Sequence, residues 1–175
     1  MKAFKQYEIP ISGLKIGVHE IDYVVDWRFF EQFEDSEVKQ GHFDVNVLLD
    51  KQPDHWMVTF DIQGHLDTEC DRCLAPISLP VGSQNSIVVK YDEDDDTQEE
   101  NEDILYVSKD VHTWNIAHLI YEFISLCVPI NRVYDCESEN VRPCDMEMLK
   151  RLTGEAASSG DNPVWNALKQ IDLNK

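Results

Sequence analysis

The stretch Phe43-Asp44-Val45-Asn46-Val47-Leu48-Leu49-Asp50-Lys51-Gln52-Pro53-Asp54-His55-Trp56-Met57-Val58-Thr59-Phe60-Asp61-Ile62 decides the fold. Phe43, Val45, Val47 and Leu49 alternate with Asp44, Asn46 and Asp50; after a turn at Lys51-Gln52-Pro53-Asp54, Trp56, Val58, Phe60 and Ile62 line one face again. Successive side chains of a strand point to opposite sides, so this period of two predicts an antiparallel hairpin with one buried face. Upstream, Ile21, Tyr23, Val25 and Trp27 oppose Glu20, Asp22 and Asp26, which gives another half-buried strand. Between these strands, residues 28–34 read as a short helix with Phe29, Phe30 and Phe33 inward. Downstream, Gly64 is expected to bend its strand, Leu66, Thr68 and Cys70 resume the alternation, and residues 77–79 and 86–91 read as two further strands. The faces Ile21/Tyr23/Val25, Phe43/Val45/Val47 and Trp56/Val58/Phe60 are expected to share one core.

The period changes over residues 114–128. Ile116, Leu119, Ile120, Phe123, Ile124 and Cys127 follow the spacing of an amphipathic helix, with Thr113 or Asn115 available as a cap and Pro129 as the stop. A short helix is expected at 145–152, followed by a Gly/Ser-rich stretch from Gly154 to Gly160. The fold class that results is α+β: an antiparallel β sandwich or partly open barrel over about residues 1–109, with one long amphipathic helix packed on it. A single domain is expected over 1–152, with an acidic loop at 92–103 inside it. A flexible tail should occupy 153–175 and carry a docking segment, 162–171, built around Trp165.

Of 175 residues, 42% are apolar and 28% charged, enough to build a core and too ordinary for wholesale disorder. The charge is not ordinary. Fifteen Lys and Arg face 34 Asp and Glu for a net charge of -19, and nine of the residues from Asp92 to Asp103 are carboxylates; without those nine the chain still carries -10. Non-specific binding along nucleic acid draws its affinity from Lys and Arg, which here form no stripe, only Lys150 and Arg151 being adjacent. The N-terminus lacks an apolar run after its lysines, and no stretch approaches the roughly eighteen apolar residues a membrane helix needs, so a cytoplasmic protein with no membrane role is expected.

Cys70-Asp71-Arg72-Cys73 sits where one strand ends and another begins, and two thiolates two residues apart can face one metal ion. Cys136 and Cys144 are candidates for the remaining two ligands of a zinc site. Three readings of these cysteines stand: a structural zinc site, reduced thiols without metal, and redox chemistry. An odd number of cysteines in a reducing compartment disfavours disulfides, and Cys127, on the helical stripe, reads as a small buried hydrophobe. Among His19, His42, His55, His65, His112 and His118 there is no HExxH or close pairing, and no phosphate loop or GxSxG elbow occurs, so neither an enzyme nor a small-molecule substrate is expected.

Two segments resemble the bacterial YceD family, described as needed for accumulation of large-subunit ribosomal RNA. One is Leu66-Asp67-Thr68-Glu69-Cys70-Asp71-Arg72-Cys73-Leu74-Ala75-Pro76; the other is Ile124-Ser125-Leu126-Cys127-Val128-Pro129-Ile130, followed after a few residues by cysteine. Asn162-Pro163-Val164-Trp165-Asn166-Ala167-Leu168 is similar to the family's closing segment. The resemblance implies a non-enzymatic role in synthesis, processing or stability of that RNA. Combined with the charge, it suggests an acidic surface that binds a basic ribosomal protein or a pre-ribosomal particle. A local contact with RNA through Arg72, Arg132 and Arg142 is a further expectation. The alternative is a structural zinc-binding interaction module unrelated to ribosomes.

Overall fold

The computed structural model describes residues 4–34, 36–91, 104–136 and 143–153. The acidic run 92–103, Arg142 and the segment 162–171 lie outside the described residues. Two compact units are present: Met1–Thr68 with Ser78–Asn131, and Glu69–Ile77 with Arg132–Lys175. Residues 1–152, read from the sequence as one domain, contribute to both.

The elements in chain order are β1 (Glu8–Ile9), β2 (Gly17–Asp26), α1 (Trp27–Phe30), β3 (Gln40–Lys51), β4 (His55–Glu69), β5 (Pro76–Tyr91), β6 (Ile104–Val107), β7 (Trp114–Asn115), α2 (Ala117–Cys127) and α3 (Met146–Leu152). Five strands form one sheet in the order β2-β3-β4-β5-β6, and β1 pairs with β7 in a separate two-stranded sheet. The expected hairpin is β3 with β4, antiparallel, with Val45 opposite Ile62 and Val47 opposite Phe60. On the other side of β3, Tyr23 faces Val45 and Ile21 faces Val47. Aligned alternation in three strands therefore gives one continuous apolar side. Phe43, Val45, Val47, Trp56, Val58, Phe60 and Val25 are buried, with Ile21 and Tyr23 partly buried against them. Full burial of such side chains contributes about 1.5–3 kcal/mol each.

The α+β class holds, but the sandwich or barrel is corrected in three respects. The five-stranded sheet is open, ending at β2 and β6, and its companion has only two strands of two residues each. It is also mixed, because β6 runs parallel to β5, with Val88 beside Ile104. A parallel return needs a connection of a dozen residues or more, and the interval between Tyr91 and Ile104 supplies that length. Third, the segments 77–79 and 86–91 belong to one strand, β5. The polar Ser83 and Asn85 keep the half-buried alternation between them and hid the continuity.

The long helix is shortened to the 11 residues of α2. Trp114 is withdrawn from it by strand pairing with Ile9, its indole buried beside Trp56. Ile116 precedes the first turn, and the Asn115 side chain accepts the Ala117 N–H at 3.0 Å, as one of the two expected caps. Ile120 and Ile124 carry the stripe into the core. The short helix expected at 28–34 is present only as the four residues of α1, which begins at Trp27, expected in the preceding strand, and is capped by Asp26; Phe29 and Phe30 are buried, and Phe33, beyond the helix, stacks on Tyr121 with ring centroids 4.0 Å apart.

β4 runs unbroken through Gly64. Its role is close approach. A Cβ on Gly64 would lie 2.3 Å from the His42 carbonyl oxygen and 2.8 Å from the Phe43 ring, and one on Gly41 would also meet that ring at 2.8 Å. The two glycines thus leave the space in which Phe43 lies flat against the sheet. Gly64→Ala is expected to cost about 1–3 kcal/mol through overpacking, whereas Gly13→Ala, with open space around it, should change stability by less than about 0.5 kcal/mol. Urea unfolding midpoints of the two variants check this.

Candidate functional site: an acidic sheet face and a cysteine turn

The register that buries one side of the sheet assembles the other. Strand partners project to the same side, so the outer face reads in rows across β2, β3 and β4: Val18, Asp50, Met57; then Glu20, Leu48, Thr59; then Asp22, Asn46, Asp61; then Val24, Asp44, Gln63. Five carboxylates share this face with no lysine or arginine. Val18, Val24, Leu48 and Met57 are between 40% and 62% exposed on the same rows. Asn46 Nδ2 donates to both Glu20 Oε1 and Asp22 Oδ1 at 2.8 Å, holding two like charges on neighbouring outward positions of β2. A concavity of about 370 Å³ lies among Asp22, Asp44, Asn46, Asp61 and Gln63. Adjacent strands are about 4.8 Å apart, so charges on neighbouring strands fall within one Debye length, about 8 Å at physiological salt, and act on an approaching ion together.

The sequence reading put Glu20, Asp22, Asp44 and Asp50 on the polar sides of their own strands, left Asp61 unassigned, and did not join them into a site. That step requires the pairing register, which alternation within single strands does not supply.

In the second unit, residues 70–75 form a tight turn: the Cys70 N–H donates to the Ala75 carbonyl at 2.9 Å and the Leu74 N–H to the Cys70 carbonyl at 2.8 Å. Leu74 takes the left-handed conformation, φ 58°, which a residue with a Cβ adopts only at a cost of about 1 kcal/mol. Asp71 ties this turn to the returning chain. Its backbone N–H donates to the Arg132 carbonyl at 2.8 Å, its carboxylate accepts the Arg132 N–H at 2.7 Å, and the Arg132 guanidinium lies 3.6 Å away. Cys70 and Cys73 are buried free thiols. Burial pushes the Cys70 thiol pKa up, but hydrogen bonds from the backbones of Tyr134, Arg72 and Cys73 and from the Cys73 side chain outweigh it and hold the thiol below its ordinary value.

The expectation of no disulfide is corrected: Cys136 and Cys144 are bonded to each other. The sequence showed only two cysteines eight positions apart, and their Cα atoms stand 6.8 Å apart here, near the upper end of the range a disulfide spans. The four residues nominated for zinc thus divide into a dithiol, Cys70 with Cys73, and a disulfide, Cys136 with Cys144. Among the described residues no group of three or more His, Cys, Asp or Glu side chains is arranged to hold a metal ion. Of the three nominated arginines, Arg72 donates to Cys136 Sγ at 3.0 Å and Arg132 is paired with Asp71; Arg142 lies outside the described residues. Cys127 is half-buried rather than fully buried, its Sγ donating to the Phe123 carbonyl and lying 2.9 Å from Ser83 Oγ; burial raises its pKa. Among the described residues no helix is long and apolar enough to cross a membrane.

Together these features define a strongly acidic α+β protein with a charged sheet face and a unit organised by a cysteine turn. The family model described as "Large ribosomal RNA subunit accumulation protein YceD" matches residues 58–172, well over half of the chain, and the chain belongs to the YceD family. The matched span holds most of β4, the cysteine turn, β5 and α2, while β2 and β3 precede it. No curated protein and no solved structure gives a significant match.

The disulfide has a direct check. Alkylation in denaturant should label three cysteines without reductant and all five with it; labelling of five in both conditions contradicts the Cys136–Cys144 bond.

Proposed function

We propose that this chain supports the accumulation of large-subunit ribosomal RNA as a non-catalytic factor, by holding a basic ribosomal protein or a pre-ribosomal particle against its acidic sheet face. The observation that carries this is the outer face of β2, β3 and β4, where five carboxylates share the described rows with no lysine or arginine. A field of one sign raises the encounter rate with an oppositely charged partner by about 10- to 1000-fold and repels bare polyanions. The family's description supplies the ribosomal context. A direct RNA contact through Arg72 and Arg132 is supported less well, because Arg72 donates to a sulfur and Arg132 pairs with a carboxylate.

One observation favours the second reading, a zinc-held interaction module. The buried Cys70 sulfur faces several backbone N–H donors, surroundings that suit a coordinated thiolate. That reading requires Cys136 and Cys144 to be reduced, so it stands only if the thiol count above finds five free cysteines.

Affinity purification of the tagged chain from growing cells is expected to recover large-subunit ribosomal proteins or precursor particles at low salt and to lose them as salt is raised. Recovery of neither at low salt contradicts the proposal.

A further inference from the structure

The partner's docking mode can be read from the free edge of the sheet. Among the described residues β2 is an end strand of ten residues, with no strand on its far side in the five-stranded order. Proteins blunt such edges with charged residues, above all lysine, and with proline, bulges or short length, because unpaired N–H and C=O groups are a template for another chain; the charges of β2, Glu20, Asp22 and Asp26, are all negative and so deter an anionic strand but not a cationic one. β2, Gly-Val-His-Glu-Ile-Asp-Tyr-Val-Val-Asp from Gly17 to Asp26, contains neither lysine nor proline, and all ten of its residues pair one to one with β3 without a bulge.

Two concavities meet at the middle of this strand. A groove of about 440 Å³ runs between Ile21–Val24 and the N-terminal segment Gln6–Pro10, with Tyr7, Ile9, Ile21 and Tyr23 as its apolar lining and Glu8 and Asp22 as its charged groups. The concavity on the outer face shares Asp22, Tyr23 and Val24 with it and adds Asp44 and Asp61. The strand is thus lined on one side by an apolar, aromatic groove and on the other by carboxylates.

Resting on the basic-partner reading above, we propose that the partner contributes an extended, lysine- or arginine-rich segment that adds to the free edge of β2 as a further strand. Its alternate side chains turn toward the groove beside Tyr23 on one side and, on the other, meet Asp22 on β2 and approach Asp44 on β3. Backbone pairing supplies the affinity and the alternation supplies the selectivity. A second copy of this chain does not fit the same edge: β2 against β2 brings Glu20, Asp22 and Asp26 of one copy up to the same carboxylates of the other, and like charges on facing strands are destabilising.

The test uses the full chain and a synthetic ten-residue peptide alternating lysine with valine or threonine, followed by amide hydrogen exchange and fluorescence anisotropy. Slowed exchange within Gly17–Asp26, salt-sensitive binding, and at least a tenfold loss of affinity in Asp22→Lys/Asp44→Lys but not in Asp110→Lys support strand addition. Binding with no new protection in β2 overturns strand addition and leaves the basic-partner reading in place. Absence of binding at low salt overturns both. Hydrogen exchange of the double variant without peptide keeps the result interpretable, since unchanged protection across β3 and β4 shows that the sheet is intact. Concentration-dependent dimerisation through β2 also overturns the proposal.

Discussion

The shared register of β2, β3 and β4 is the constraint on which the rest depends. With a side-chain period of two, a one-residue slip of any strand would turn its Val, Phe and Tyr residues to water and its Asp and Glu residues into the core. Burying even one unpaired carboxylate costs several kcal/mol, so the slipped arrangements are strongly excluded. The same pairing that hides Phe43, Val45 and Val47 sets Asp22, Asn46 and Asp61 in one row on the opposite side. Core and acidic face are two sides of one pairing, and the glycines at 41 and 64 make room for the Phe43 ring.

This also explains how much was legible in the sequence. The β3–β4 hairpin and β2 were readable because each alternates strictly, and the short helix α1 because its inward residues Phe29 and Phe30 are close in sequence. The exclusion of Trp114 from α2 was not readable, since it depends on pairing with Ile9 more than a hundred residues earlier. The parallel β6 and the unbroken β5 were missed for a related reason: strand direction and continuity are set by partners, and residues 104–107 carry no mark of theirs. The candidate site shows the same division. Cys70 and Cys73 were identifiable from their spacing, but the Asp71–Arg132 tie and the Arg72–Cys136 contact join positions about sixty residues apart.

Charge then decides the class of partner. The nominated arginines that the structure describes serve the second unit internally, whereas the outer sheet face in the first unit gathers carboxylates at strand spacing. A surface of one sign attracts cations and repels polyanions, which is the physical basis of the proposed role in a family described by the accumulation of ribosomal RNA.

A fluorescence anisotropy titration of a large-subunit ribosomal RNA fragment with the purified chain at about 0.15 M monovalent salt tests that claim most directly. The account gives weak or no binding, no tighter than the roughly 10⁻⁴–10⁻⁶ M of ordinary non-specific contacts. Saturable binding of the bare RNA at nanomolar concentration would contradict it.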